Sequence, residues 1–146
     1  MIAQHRLFIV PVRIAHTAER IWMTSCAFAL LLVVTGTLWL FGFNCFHTLV
    51  KRWPTRSGSS ALALSTKIAS ACQAIERASQ FWPFPLLCLR RAAAAVCLLR
   101  LYGVPAELVI GINLLPFAAH AWAEVDGNAV VESAPSEYRY KVVDRC

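Results

Sequence analysis

Thirty consecutive residues, Ile21 to Val50, carry no Asp, Glu, Lys or Arg. A helix needs only about twenty apolar residues to cross a bilayer. A run of this length therefore has to be seated in a membrane or buried along a long helix against other protein. Thr24, Ser25, Thr35, Gly36, Thr37, Gly42, Asn44 and His47 punctuate it, and Gly36 with the Gly42-Phe43-Asn44 stretch is expected to divide it into a long and a short helix. Arg6, Arg13 and Arg20 lie before it and Lys51, Arg52 and Arg56 after it, so the Lys/Arg asymmetry that orients a spanning helix is nearly absent. As a secretory signal it starts late, is too long, and offers no clear small-residue cleavage site. Two expectations stand side by side: a helix pair buried against the domain or a partner, and a membrane-associated segment.

The rest of the composition excludes other classes. At 146 residues the chain is one domain. With 58% hydrophobic and 15% charged residues it is neither disordered nor collagenous. The net charge of +6 comes from fourteen Lys and Arg spread along the chain, with no cluster longer than Lys51-Arg52 or Arg90-Arg91. No nucleic-acid partner is expected, and attraction to an anionic lipid surface is the milder consequence. Six cysteines invite a disulfide framework, but Cys26, Cys45, Cys72 and Cys97 sit in apolar helical text, Cys146 is the last residue, and Cys88 stands apart. Free thiols in a reducing compartment are expected, hence a cytoplasmic protein with membrane association left open. Cys45 and His47 have no second ligand pair at zinc-finger spacing, so no metal site is expected.

Residues 1–52 form the apolar helical segment, 53–60 a linker (Trp-Pro-Thr-Arg-Ser-Gly-Ser-Ser), and 61–146 the remaining domain. From Ala61 to Gln80, Leu64, Ile68, Cys72 and Ile75 recur at helical spacing, and Pro83 and Pro85 end that helix. A second helix is expected from about Leu86 to Tyr102, stopped by Gly103 and Pro105. Short β-prone runs follow at Glu107 to Asn113, Phe117 to Val125, Asn128 to Glu132 and Tyr138 to Val143, with Asp126-Gly127 as a hairpin signal. Helices followed by an antiparallel meander make an α+β domain, in which Ala92 to Ala95 let the Leu86 helix approach one face of the sheet.

Cys88 opens that helix just after two prolines. A thiol there feels the positive helix end and unpaired backbone N–H groups, which favour the thiolate; the alternative is a small buried hydrophobe between Leu87 and Leu89. His120 sits mid-strand among small residues in Ala118-Ala119-His120-Ala121-Trp122. With an acid from the following hairpin, the two compose a nucleophile, a base and an orienter. Register decides which acid. A two-residue Asp126-Gly127 loop pairs Glu132 with Ala121, away from His120; a three-residue loop with a bulge pairs it with Trp122, on the His120 face. The three-residue loop makes Glu132 the orienting carboxylate, with Asp126 and Glu124 as fallbacks. Oxyanion donors would include the Cys88 backbone N–H, with Gln80 or Trp82 as side-chain candidates.

Three pieces stand in one order: Cys88-Leu89 with Arg91 and an alanine-rich helix; the stretch Leu98 to Gly111, reading Leu-Leu-Arg-Leu-Tyr-Gly-Val-Pro-Ala-Glu-Leu-Val-Ile-Gly; and His120-Ala121-Trp122-Ala123-Glu124-Val125-Asp126-Gly127. Together they resemble the B2 family of lasso-peptide biosynthesis, transglutaminase-like or papain-like cysteine proteases. The resemblance covers Thr66 to Val131 well and the N-terminal third loosely. It implies removal of the leader from a ribosomally made precursor peptide, with Cys88 as nucleophile, His120 as base and Glu132, where many members have Asp, as third member. It also implies two partners: a leader-recognition B1 protein, and an asparagine-synthetase-like enzyme that closes the macrolactam ring. The chain itself needs no cofactor. Acyl transfer to an amine is a rival within the same fold, and a non-catalytic membrane-anchored adaptor is a rival outside it.

Overall fold

Gly42 is where the charge-free run turns. The computed structural model describes residues 9–55, 61–83, 85, 87–131 and 140–146, with side chains from residue 17 and, in the second helix, from residue 64. Helix α1 (Ile9–Arg52) continues through Gly36 and breaks at Gly42, whose φ of 77° is left-handed. Of the two expected break points only the second is used. Before it, Met23, Ala27, Leu30, Leu31 and Val34 line one buried face. In an unbroken helix Phe46 would lie about 120° around from Val34; after the turn at Gly42, Phe46 and Val50 are both fully buried. Glycine tolerates that conformation at no steric cost.

Helix α2 (Ala61–Gln80) has the expected bounds, and helix α3 (Cys88–Leu101) begins two residues later than expected. α3 ends in a Schellman motif: Gly103 takes φ 82°, its N–H donates to the Arg100 carbonyl, and the Val104 N–H donates to the Leu99 carbonyl at 2.9 Å. Every residue from Ala92 to Arg100 is buried. The four alanines bring the helix close to the sheet, as their size predicts.

Strands β1 (Ala106–Leu114), β2 (Phe117–Val125), β3 (Asn128–Val131) and β4 (Lys141–Arg145) form one antiparallel sheet in the order β3-β2-β1-β4. This corrects the expected meander, because the last strand pairs with β1 and not with β3. Its polar residues find partners at that edge on both faces. Asp144 Oδ2 lies 2.7 Å from Nε2 of His47 on α1, close enough for an ion pair when the ring is protonated, and Arg145 reaches glutamates on β1 and β2. Backbone bonds between Leu108 and Cys146 complete the pairing.

The hairpin expectation is also corrected. The loop is the two-residue Asp126-Gly127 turn, both residues at positive φ, with Val125 facing Asn128. The bulge falls one step inside the strand, between Ala123 and Glu124, so that Ala123 faces Val131. That is the register a three-residue loop would have produced at this point, reached through a bulge within β3.

One hydrophobic core joins all three helices to one face of the sheet, through Leu108 of β1, Ala121, Ala123 and Val125 of β2, and Val131 of β3. The inner face of α1 thus supplies one wall of that core. Arg100 locks the wall in place. Its buried guanidinium donates from Nε to the Ala106 carbonyl (2.8 Å) and from a terminal nitrogen to the Val50 carbonyl (2.6 Å).

Candidate active site

Cys88 is the first residue of α3. Leu87 precedes it in extended conformation (φ −69°, ψ 147°), and no side chain caps the helix. The dipole and the first-turn N–H groups therefore act on whatever occupies the space beside this thiol. Cys88 is half-buried against the core. The buried indole Nε1 of Trp82, whose ring packs on Phe28 of α1, has no hydrogen-bond partner, while Gln80 is exposed at the end of α2. All six cysteines are free, and three of them are held in the thiol form. Burial pushes Cys97 up to about 12, with Arg100 opposing and Cys146 adding to it; burial likewise raises Cys72 and Cys146.

His120 lies on β2 opposite Gly111 of β1. Its ring stacks on Trp122 at 6.0 Å with an interplanar angle of 20°, and lies 5.6 Å from the Tyr140 ring. Trp122 Nε1 donates to Glu124 Oε1 at 2.7 Å, and Arg145 donates to Glu124 Oε2 at 2.6 Å and to Glu107 Oε2 at 3.3 Å. Burial by itself would raise the Glu124 carboxyl, but the bonds from Trp122 and Arg145, with the Arg145 charge, hold it below the usual carboxylate range. Gly111 makes this packing possible. A Cβ there would stand 2.9 Å from the Trp122 ring and 2.9 Å from the Tyr140 Cβ.

The strand alternation separates the two faces. Ala121, Ala123 and Val125 face α3, while His120, Trp122 and Glu124 face the other way, with Val109 and Arg145 beside them. Cys88 is about 20 Å back along α3 from the turn into β1, and Gly111, the partner of His120, is about 17 Å along β1 from that same turn. The structure thus brings His120, Trp122, Tyr140 and Glu124 together. Cys88 opens the helix that packs on the opposite face of the sheet, and among the described residues no hydrogen bond joins Cys88 Sγ to His120.

Of the acids, Glu132 lies outside the described residues. Asp126 is exposed in the turn, six residues along β2 from His120, and is not brought to the ring. Glu124 reaches His120 only through the Trp122 indole. Sequence reasoning missed Trp122 and Tyr140 as ring neighbours of the histidine, and Arg145 as the partner of Glu124. A glycine inside the Leu-Val-Ile-Gly-Ile strand was the available signal, since an interior strand glycine often marks a close approach.

A thiol at an uncapped helix start, and a histidine on the second strand of a sheet packed against that helix, are the two parts of one known architecture. The family model of the transglutaminase-like superfamily matches residues 30–145. The chain belongs to the transglutaminase-like superfamily. No curated protein and no solved structure matches it. The superfamily match begins inside α1, so about the last two thirds of the charge-free run is part of the superfamily domain. Membership agrees with thiol chemistry of the peptidase or acyltransferase kind. Among the described residues no cluster of His, Cys, Asp or Glu forms a metal site.

Proposed function

We propose that this transglutaminase-like protein is a cysteine peptidase that removes the leader from a ribosomally synthesised lasso-peptide precursor. The observation that carries the reading is Cys88 at the first position of an uncapped α3, in a chain that matches the transglutaminase-like superfamily and carries His120 on the second strand of its sheet. His120 accepts the Sγ proton, and the thiolate attacks the carbonyl carbon at the leader–core junction. The tetrahedral oxyanion is held by first-turn N–H groups, with the unpartnered Trp82 indole N–H as the side-chain donor. His120 then protonates the departing amine, and the core peptide leaves with a new N-terminus. Water, losing its proton to His120, hydrolyses the thioester and frees the leader as a carboxylate. Proton transfer needs the imidazole within about 3 Å of Sγ, so the productive state requires the Cys88 end of α3 and the His120 ring to move together, and not a rotation of the ring alone. Glu132 is the acid that orients the ring.

No metal or nucleotide is needed for these steps. A separate leader-recognition protein delivers the precursor, and an asparagine-synthetase-like enzyme consumes the freed core. Mass analysis of precursor incubated with the full chain and the leader-recognition protein tests this. Two fragments whose masses sum to precursor plus water are expected, and none with Cys88→Ala. An intact amine-tagged or cross-linked precursor would establish the acyl-transfer alternative instead. Unchanged cleavage by Cys88→Ala would leave the chain a non-catalytic adaptor.

A further inference from the structure

The outer side of α1 is an apolar stripe that nothing in the fold covers. Ile21, Trp22, Leu32, Val33, Trp39 and Leu40 are all exposed, Trp39 at 83%, and no charged residue interrupts them. From Ile21 to Leu40 the stripe runs about 28 Å, with a tryptophan near each end. Three of the polar side chains in this run are satisfied without water, whereas the buried Thr35 hydroxyl has no partner. Thr24, Ser25 and Thr37 donate to the carbonyls of Arg20, Ile21 and Val33 at 2.8, 3.0 and 2.7 Å. Such a surface is suited to a medium that offers no hydrogen bonds.

Charge names the medium. Residues 1–52 hold five Lys and Arg and one Glu, a net +4 of the chain's +6. Two cations stand where the stripe meets α2. A groove of about 570 Å³ is lined there by Arg20, Ile21, Ser25, Phe28, Arg77 and Phe81 among others, so two guanidinium groups share an otherwise largely apolar cleft. The same two arginines also line a neighbouring groove that holds Glu19 and Gln73, and Arg77 donates to Gln73 Oε1 at 3.0 Å. A phosphate bearing acyl chains fits this pattern: the charge on the arginines, the chains along Ile21, Phe28 and Phe81. A second protein copy would bring the same positive charge against itself.

Crossing the bilayer is disfavoured by the packing. The inner face of α1 is covered by α2 and α3, and α2 carries Lys67, Glu76 and Arg77, which a spanning orientation would carry to hydrocarbon depth. We propose that α1 lies in the plane of an anionic bilayer surface, its outer stripe in the interface and a lipid phosphate held by Arg20 and Arg77. The thiol-bearing domain is thereby a peripheral enzyme of that surface.

Flotation of the full chain with vesicles tests this. Vesicles of phosphatidylcholine with one-third phosphatidylglycerol should bind it at least tenfold more strongly than phosphatidylcholine alone, and brominated acyl chains should quench tryptophan fluorescence. Arg20→Gln with Arg77→Gln should bring the anionic vesicles down to the level of the neutral ones. Trp39→Ser, at a side chain outside the core, should weaken binding to both while leaving the thermal melt unchanged. Alkaline carbonate should release the protein from the vesicles. Retention after carbonate would show a spanning helix and overturn the proposal, as would absence of binding to the anionic vesicles. A lipid-free dimer that Trp39→Ser dissociates would assign the stripe to a second copy.

Discussion

The two faces of the sheet divide the labour of the domain. Toward α3, β1 and β2 present Leu108, Ala121, Ala123 and Val125, side chains with no polar atoms, closed against Ala92 to Ala95. On the far side the same two strands present His120, Trp122, Glu124 and Glu107, linked by ring stacking and by Arg145. Hydrophobic packing tolerates exchange of similar shapes, whereas a hydrogen-bonded carboxylate and a stacked imidazole depend on single atoms. Apolar packing is concentrated on one face and the polar network around the histidine on the other, while the Cys88 thiol opens the helix that covers the apolar face.

The sharpest break between the faces is at His120. His120→Ala should lower the rate of precursor cleavage by about 10²- to 10⁴-fold with little change in the midpoint of urea unfolding. If both fell together, the ring would be part of the fold and not of the reaction. Leu108→Ala on the helix side should do the opposite, removing about 2 to 5 kcal/mol of stability while the cleavage rate per folded molecule stays level. Gly111→Ala joins the two faces. The added methyl meets Trp122 and Tyr140, costs about 1 to 3 kcal/mol, and should also shift the His120 ring signals in an NMR titration.

The smallest effect is at Glu124. Glu124→Gln should cost about 1 to 2 kcal/mol at neutral pH. The folded carboxyl titrates below the unfolded value of about 4.3. Its stabilisation is therefore complete above that pH and lost as pH falls through the lowered folded value. Urea unfolding of both proteins should give a gap that is constant from pH 5 to 8 and narrows below about pH 4; a gap that widened in acid would refute the assignment of Glu124 as the charged partner of Arg145.

Local chemistry made most of the fold legible in the sequence. The 3.6-residue spacing from Leu64 to Ile75, the Gly103 stop and the Asp126-Gly127 turn each follow from short-range physics, and the elements formed where those signals stand. The path of β4 was not legible, because strand order depends on pairings between residues far apart, such as Arg145 with Glu124 and Asp144 with His47. The hairpin shows the same limit in miniature. Asp126-Gly127 correctly marks the turn, but nothing in Ala129-Val130-Val131 announces that one residue will be left out of the ladder. Cys88 and His120 were readable as types of residue in suitable elements. Their faces were not, because facing depends on which side of the sheet the helices cover.

Arg100 ties these regions together mechanically. One guanidinium holds both the last turn of α1, at the Val50 carbonyl, and the first residue of β1, at Ala106. A chain trimmed to begin at residue 61 would leave that cation inside the protein with one of its two acceptors gone. The superfamily domain is therefore not a detachable cassette carried by an anchor. Force applied to the end of α1, by lipid or by a partner, is delivered to the start of β1, the inner strand that pairs with the histidine's own strand.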